Sequence, residues 1–226
     1  MRIILFGATG MVGQGVLREC LLDPDVDAVL SVVRRASAGS APVKNEKLRE
    51  IVADNFYDLS GLRSEFAGCD ACFFCLGVSS FGMKEPEYRR ITYDITMAAA
   101  HAILQANPTS AGSGTTFVYV SGAGTDANGR QMWARVKGET ENALLAMPFK
   151  SVYLFRPGGI VPLDGIKSKT AAYRIPYMLL KPVLPLLLRA FPKVMTSTRQ
   201  VGRAMLHVAS QGYPMQVLEA KDIARM

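Results

Sequence analysis

Histidine and cysteine are scarce in this chain, which has two histidines and four cysteines among its 226 residues. His101 and His207 fall in segments of helical character without partners at metal-ligand spacing, which favours packed structural roles. The cysteines do not form the dispersed framework of a secreted disulfide protein, because Cys69, Cys72 and Cys75 crowd into one short segment. We therefore expect a reducing compartment and a cytoplasmic protein.

The spacing of those three cysteines is also typical of an iron–sulfur or zinc site. The apolar run 71–76, however, has the length of a strand, along which side chains alternate between two faces. Cys69 and Cys75 would then face one side and Cys72 the other, while Cys20, the remaining thiol, falls in a predicted helix. We therefore expect buried structural cysteines and no metal site.

A long, uninterrupted apolar segment is missing as well. The apolar run 3–6 is too short for the core of a signal peptide and leads directly into Gly7, so it predicts a strand. The mostly apolar segment 173–191 contains three prolines and three basic residues, whereas a transmembrane helix needs about 20 apolar residues with few charges. The sequence thus predicts no membrane-spanning helix.

Acidic side chains are few in the last third of the chain. Lysine and arginine number 26 against 19 aspartates and glutamates, a net charge of +7. Residues 1–150 hold 15 basic and 16 acidic side chains, but residues 151–226 hold 11 basic and 3 acidic ones. The excess predicts an anionic substrate, partner or surface met by the C-terminal part, and no nucleic-acid-binding module is recognisable.

Apolar runs of strand length alternate with helical segments along most of the chain. The predicted strands are 2–6, 28–33, 48–53, 71–76, 116–120 and 151–155, and the predicted helices are 11–22, 85–106 and 131–146. A further helix at 198–210 and a strand at 215–219 follow. Fully apolar strands separated by helices predict an α/β fold, a doubly wound parallel sheet of the Rossmann type, in a single domain over 1–226.

A glycine turn joins the first predicted strand to the first predicted helix. Its sequence is Gly7-Ala8-Thr9-Gly10-Met11-Val12-Gly13. Gly7 permits a tight turn, Gly10 lets a pyrophosphate approach the backbone, and Gly13 allows the helix to pack closely on the sheet. The strand, turn and helix in this order predict a dinucleotide cofactor, the alternative being a glycine-rich turn without a ligand.

The residues after the second strand bear on the choice of cofactor. An NAD-preferring domain has an acidic residue there, whereas this chain has Arg34 and Arg35, whose guanidinium groups can grip a 2′-phosphate. NADP is therefore favoured over NAD, the alternative being two solvated arginines. Asp54 follows the third strand and is a candidate contact for the adenine amino group.

Four further motifs follow the later strands or lie on the helix after the fifth. They are Cys75-Leu76-Gly77, Val120-Ser121-Gly122, Val136-Lys137-Gly138-Glu139 and Arg156-Pro157-Gly158-Gly159. With these motifs the chain resembles the atypical or extended short-chain dehydrogenases/reductases, whose turn reads Gly-x-x-Gly-x-x-Gly. Within them it is similar to the Tat-interacting oxidoreductase-like and epimerase/dehydratase-like proteins.

The resemblance implies a role for each of these positions. Cys75, Leu76 and Gly77 would line the pyrophosphate and ribose, and Lys137 would bind the nicotinamide ribose. The residues that would meet the carboxamide end are Pro157, Gly158, Gly159 and Ile160. Residues 157–226 would supply a small substrate cap and the last strand.

The catalytic pattern of the superfamily is incomplete in this sequence. Lys137 and Ser121 are the candidate catalytic residues, but the usual tyrosine four residues before the lysine is Trp133, and Gly122 stands where relatives commonly have a second serine. Another acid could serve, the candidates being Tyr93, Ser79, Ser80 and Tyr153, or water could relay a proton to Ser121. Either an NADP(H)-dependent enzyme for a small carbonyl or alcohol, or a cofactor-sensing protein without turnover, fits the sequence.

The segment 173–191 would belong to the cap. Its candidate lining residues are Met178, Leu179, Leu180, Leu184 and Leu187. They suit an apolar or amphiphilic substrate, which could be anionic given the local charge. Cap or homodimer packing is favoured over peripheral membrane contact, because a proline-interrupted helix has no long apolar face.

Overall fold

Parallel strands form the central sheet of the computed structural model, which describes residues 1–35, 45–108, 114–166, 191 and 194–226. The strands are β1 (Arg2–Phe6), β2 (Ala28–Val33), β3 (Leu48–Val52), β4 (Ala71–Phe74), β5 (Thr116–Val120), β6 (Ser151–Arg156), β7 (Gly159–Val161), β8 (Met195–Ser197) and β9 (Val217–Glu219). Seven of them form one sheet in the order β3-β2-β1-β4-β5-β6-β9. This order is that of a doubly wound fold, so the predicted fold class is confirmed.

Helices cover both faces of the sheet. They are α1 (Met11–Leu22), α2 (Arg63–Phe66), α3 (Glu85–Arg89), α4 (Ile95–Ala106), α5 (Met132–Leu145), α6 (Thr198–Gln211) and α7 (Ala220–Ile223). A π-helical turn, Arg90–Asp94, joins α3 to α4, and a 3-10 turn, Ser60–Leu62, precedes α2. None of the described helices is long and apolar enough to cross a membrane.

The two faces of the sheet carry different cores. On one face aromatic rings dominate: Phe6 lies at centroid distances of 6.2 Å from Phe56, 6.3 Å from Phe66 and 5.3 Å from Phe74. On the other face aliphatic side chains of β1 and β2 pack against α1 and α6. Successive strand residues alternate between the two cores, which is why the central strands read as fully apolar.

The cysteines do not divide between the faces as the sequence predicted. Cys69 and Cys72 both join the aromatic core, and Cys75 packs against the aliphatic one. Because β4 begins at Ala71, Cys69 lies in the turn before the strand and does not follow the alternation. In the described part of the chain no three His, Cys, Asp or Glu side chains could hold a metal ion together.

A second, two-stranded sheet was not predicted. β7 and β8 pair in parallel, with Gly159 opposite Met195 and Val161 opposite Ser197. Three-residue strands paired across more than 30 residues leave no periodic signal, so only the structure reveals them. The predicted cap residues Met178, Leu179, Leu180, Leu184 and Leu187 lie outside the described residues.

Helix α1 rests directly on α6 through small residues. A Cβ atom on Gly15 would lie 2.5 Å from Cβ of Thr198 and 2.9 Å from its carbonyl oxygen. Gly202 meets the buried side chain of Glu19, which also pairs with Arg203 at 3.0 Å between Nε and Oε2. The helix that follows the glycine turn is therefore held by the C-terminal part of the chain.

This contact predicts an unequal response of two glycines to substitution. Gly15→Ala should lower the free energy of unfolding by about 1–3 kcal/mol, because the added methyl group meets a backbone carbonyl that cannot move freely. Gly61→Ala is the matched control, since a Cβ atom there meets nothing within 4 Å. Urea unfolding followed by circular dichroism measures both, and equal effects would contradict the close packing.

Candidate active site

The glycine turn follows the central strand β1, at the side of the sheet formed by the carboxyl ends of the parallel strands. Gly7 has a φ of +82°, and a Cβ atom on it would lie 2.6 Å from the backbone nitrogen of Leu76. A Cβ atom on Gly13 would lie 2.0 Å from the carbonyl oxygen of Gly7. The turn is thus pressed between α1 and the backbone that follows β4, and neither position has room for a side chain.

Gly10 is less crowded, because a side chain there would meet a single backbone oxygen. Its N–H donates to the carbonyl oxygen of Gly7 at 2.9 Å, and a Cβ atom would find only that oxygen, at 3.3 Å, within 4 Å. Gly10 also caps α1 without offering a side-chain acceptor to the first turn. An open cradle above free helix amides fits the pyrophosphate of a dinucleotide, so the residues present suit such a cofactor.

The neighbouring residues of the turn have supporting positions. The Gln14 side chain donates from Nε2 to the carbonyl oxygen of Thr9 at 3.1 Å and so fixes the shape of the turn. Thr9 is exposed, while Met11 and Val12 are half-buried in the first turn of α1. Their backbone N–H groups precede the first intrahelical hydrogen bond, from Gln14 to Gly10 at 2.9 Å.

Arg34 and Arg35 follow β2 directly and are exposed. Neither forms an ion pair with a described acidic residue. Asp54 is exposed two residues beyond β3, the next strand in the sheet. All three lie on the side of the glycine turn where the adenosine half of a dinucleotide binds in doubly wound folds.

The segment after β4 faces the turn mainly with its backbone. The N–H of Cys75 donates to the carbonyl oxygen of Phe6 at 2.9 Å, which continues the pairing of β1 and β4. Cys75 and Leu76 are half-buried and Gly77 is exposed. Burial raises the pKa of the Cys75 thiol, which therefore stays protonated and offers no anion to repel a phosphate.

The residues after β6 connect the site to the small sheet. The carbonyl oxygen of Pro157 accepts from the N–H of Ala123 at 3.1 Å, and Gly159 donates to the carbonyl oxygen of Val194 at 2.9 Å. A Cβ atom on Gly158 would lie 2.0 Å from that same oxygen. Gly159 and the half-buried Ile160 already belong to β7, so these positions have a structural role at this edge.

Lys137 reaches from α5 to the end of β5. Its Nζ donates to the carbonyl oxygens of Ser121 at 3.0 Å and Val120 at 3.4 Å, and lies 5.6 Å from the ring centre of Tyr119. Desolvation lowers the pKa of the Lys137 amine to about 8, an effect that the nearby carboxylate of Glu141 opposes. A lysine side chain with such a pKa can exchange a proton near neutral pH.

Ser121 is engaged by a carboxylate that the sequence did not single out. Its hydroxyl donates to Oε1 of Glu141 at 2.5 Å and contacts the carbonyl oxygen of Phe155 at 3.2 Å. Glu141 is only 2% exposed and is held by Arg156, with Nε at 3.0 Å from Oε1 and a second bond from Nη2 to Oε2. Arg156 also pairs with Glu219 at 3.5 Å.

A spacing signal could have revealed this carboxylate. Trp133, Lys137 and Glu141 follow each other at intervals of four residues, which places them on one face of α5. The indole of Trp133 donates to Oε1 of Gln131 at 2.6 Å and lies beside Gly124. The face that usually carries the catalytic tyrosine therefore carries an indole, an amine and a carboxylate.

The other candidate acids lie in three different parts of the fold. The hydroxyl of Tyr153 accepts from the N–H of Tyr213 at 2.8 Å, and Tyr213 precedes β9, at the opposite edge of the sheet. The ring of Tyr93 lies under the guanidinium of Arg89, at 4.6 Å from its centre. Ser79 is exposed and Ser80 is half-buried in the segment that follows β4. None of these four hydroxyls forms a hydrogen bond with Lys137 in the described part of the chain.

Comparison with known proteins gives relatives at low identity. No family model matches the sequence. The chain is 26% identical over 159 residues to the protein fmp52, mitochondrial, of Emericella nidulans, covering 69% of this chain and 65% of that protein. It is 27% identical over 172 residues to FMP52, mitochondrial, of Saccharomyces cerevisiae, covering 75% and 69%. The chain thus spans about two thirds of the length of these relatives.

Solved structures give the same fold. A short-chain dehydrogenase/reductase from Burkholderia thailandensis superposes with a TM-score of 0.69 at 17% identity, covering 99% of this chain and 92% of that one. Vestitone reductase from alfalfa gives 0.65 at 16% identity over 96% and 75%, and MoeE5, solved with UDP-glucose and NAD, gives 0.64 at 17% over 99% and 79%. The predicted resemblance is therefore confirmed at the level of the fold.

The predicted cytoplasmic location is wrong. The curated relatives, at 26–29% identity over about 68–75% of the chain, are designated mitochondrial. The shortage of disulfide-forming cysteines indicates a reducing environment but does not distinguish one such compartment from another.

Burial of the four thiols predicts their reactivity. Desolvation raises the pKa of Cys20, Cys69, Cys72 and Cys75, so few thiolates exist at pH 8. We expect none of the four to react within minutes with a thiol-specific disulfide reagent, and all four to react after unfolding in urea. Rapid labelling of Cys75 in the folded protein would show that its thiol, and not only its backbone, faces the site.

Proposed function

We propose that this protein is an NADP(H)-dependent reductase or epimerase-like enzyme that acts on a small carbonyl or alcohol. The observation that carries the proposal is the open approach at Gly10, above the uncapped first turn of α1. Gly7 and Gly13 are accounted for by several very close backbone contacts, whereas a Cβ atom at position 10 would meet only the carbonyl oxygen of Gly7, at 3.3 Å. A ligand that approaches the backbone there would supply a further reason for glycine.

The cofactor would lie across the edge of the sheet. The amides of Met11 and Val12 would hold the pyrophosphate, and Asp54 the adenine. Lys137 would bind the nicotinamide ribose, beside the segment Pro157, Gly158, Gly159 and Ile160. When bound, a reduced nicotinamide supplies a hydride to a carbonyl carbon.

NADP rather than NAD is proposed because of the charge beyond β2. Arg34 and Arg35 are exposed and have no acidic partner among the described residues, so they are available to a 2′-phosphate. The carboxylate that would accept hydrogen bonds from a ribose 2′-hydroxyl is missing directly after this strand. Two guanidinium groups would also bind a phosphate more strongly than they would bind an uncharged ribose.

The substrate is proposed to be small, and anionic or amphiphilic. In the sequence, residues 167–193 contain six basic and no acidic side chains among many apolar ones. A monomer or homodimer is proposed, without nucleic acid as a partner. The relatives make the mitochondrion the compartment in which to seek the substrate.

A second candidate is a protein that binds NADP(H) without turnover. It is favoured by Trp133, whose indole cannot exchange a proton near neutral pH, and by the capture of the Ser121 hydroxyl by Glu141. Oxidation of NADPH that depends on a carbonyl substrate would separate the two candidates, because only the enzyme carries it out.

The cofactor preference is tested by removing both arginines. Arg34→Ala with Arg35→Ala should raise the Kd for NADPH by about 10- to 100-fold, as expected for charge-assisted hydrogen bonds, and leave that for NADH nearly unchanged. Titration of NADPH fluorescence or calorimetry gives both constants. Arg225→Ala, at an exposed site near the C-terminus, controls for net charge; an equal loss for both cofactors would contradict the 2′-phosphate assignment.

A bulky side chain at position 10 tests whether the cofactor passes over the glycine turn. Gly10→Val should cost about 1–2 kcal/mol of stability, because its Cβ atom would lie 3.3 Å from the carbonyl oxygen of Gly7 and valine caps a helix less well than glycine, yet it should abolish NADPH binding. Thermal unfolding and calorimetry measure the two effects separately. NADPH binding by this variant at wild-type strength would show that the cofactor does not pass over Gly10.

A further inference from the structure

Lys137 is held in a position from which it can pass a proton to a bound molecule. Its Nζ donates to two consecutive carbonyl oxygens, those of Val120 and Ser121, where β5 ends. This is the edge at which ligands bind in open α/β sheets. An ammonium group has three N–H donors, so the third N–H, and the one on the long 3.4 Å bond to Val120, can serve the nicotinamide ribose and the substrate.

The neighbouring hydroxyl and indole donors are already engaged. The Ser121 hydroxyl donates to Glu141 at 2.5 Å, so Ser121 Oγ can only accept a further hydrogen bond. The Trp133 indole donates to Gln131 at 2.6 Å. The Tyr153 hydroxyl is bound by the N–H of Tyr213, before β9, and so lies toward the amino ends of the strands. Among the described donors around the end of β5, Lys137 is therefore the group that retains both an available N–H and an exchangeable proton.

We propose that the Lys137 ammonium itself donates the proton to the reacting oxygen of the substrate, in place of the missing tyrosine, and that Glu141 is its positioning residue, because Glu141 holds the side chain of Ser121, whose carbonyl oxygen binds Lys137. The inference rests on the proposed function, since it requires a nicotinamide cofactor as the source of hydride. Lys137 then has a role that its superfamily resemblance does not give it.

The step balances in the reductive direction. The substrate's carbonyl carbon receives the hydride, and the two electrons of the C=O π bond move to the oxygen. The oxygen forms an O–H bond with the proton from Nζ of Lys137, whose N–H bond breaks. The substrate becomes an alcohol, the nicotinamide is oxidised, and the neutral amine of Lys137 recovers a proton from solvent.

The groups that face Lys137 support this exchange. Glu141 lies one turn further along α5, and the ring of Tyr119 faces the amine from β5. Behind them, Arg156 of β6 pairs with Glu141, and Tyr88 of α3 interacts with Tyr119. Desolvation lowers the pKa of Lys137 to about 8, which is near the range where a group both gives and regains a proton readily.

Trace acetylation of the folded protein, without cofactor or substrate, tests the proposal independently of catalysis. Mass spectrometry follows the acetylation of each lysine as the pH is varied, with Nα-acetyl-lysine as the reference. We expect a midpoint near pH 8 for Lys137. In Glu141→Gln the midpoint should fall below that of the wild type, because the carboxylate that favours the charged amine is gone.

Glu219→Gln is the matched control. It removes the other carboxylate that pairs with Arg156, at 3.5 Å, and leaves Glu141 in place, so the midpoint of Lys137 should not move. A midpoint above about 10 in the wild type, the range of an ordinary lysine, would overturn the proposal even if Glu141→Gln does not fold. Equal shifts in both variants would overturn the role of Glu141.

Lys137→Arg tests the proton itself, because a guanidinium keeps the charge but does not release a proton near neutral pH. NADPH binding should weaken no more than several-fold, because the guanidinium can still hydrogen-bond the nicotinamide ribose, while reduction of a panel of small aldehydes, ketones and quinones should fall about 100-fold or more. In the wild type, reduction should decline as the pH rises through about 8, since only the ammonium form donates.

The outcomes distinguish a failure of the role proposed for Lys137 from a failure of the proposed function. Reduction by Lys137→Arg at the wild-type rate, or a wild type that binds NADPH but reduces no member of the panel, would overturn the role of Lys137 and leave cofactor binding intact. A wild type that does not bind NADPH would overturn the proposed function, whereas the titration of Lys137 would still report its environment.

Discussion

The close contact of three backbone segments at the first glycine turn is the constraint on which the structure depends. Gly7 lies against the backbone of Cys75 and Leu76, and Gly13 lies against the carbonyl oxygen of Gly7. These contacts fix β1, α1 and β4 relative to each other, and they do so without side chains. The first turn of α1 therefore lies at the carboxyl ends of the strands with its amides free, so the packing of this segment and the proposed cofactor site have a common origin.

Sequence reasoning succeeded where periodicity and local sterics decide the structure. The bounds of β1, α1 and β5 are as predicted, because each is a compact apolar or amphipathic run beside a turn. The predicted helix over 85–106 is continuous in extent, but its π-helical turn at 90–94 carries no sequence signal that the reasoning used. β7 and β8 were missed because their pairing depends on tertiary contacts between residues far apart in sequence.

The candidate site shows the same division. Positions at strand ends were predictable, since topology alone brings the ends of parallel strands together. The partners of those positions were not: that Ser121 donates to Glu141, and that Arg156 holds Glu141, depends on the rotation of α5 against β6. A buried carboxylate of this kind stabilises an active-site geometry only while its cation remains, because either charge alone would be costly to bury. The geometry of the candidate site therefore depends partly on Glu141 and Arg156, which are not among its proposed ligand contacts.

The parallel pairing of β7 with β8 brings together the two points at which the chain leaves and rejoins the Rossmann unit. Val161 and Ser197 are register partners, although they are 36 positions apart in the sequence. The two strands pair with each other, so changes in the sequence between them need not displace α6 or the helix it supports. Under the proposed function, the sheet and the glycine turn would hold the cofactor, and the sequence between β7 and β8 could change with the substrate without a change in the sheet.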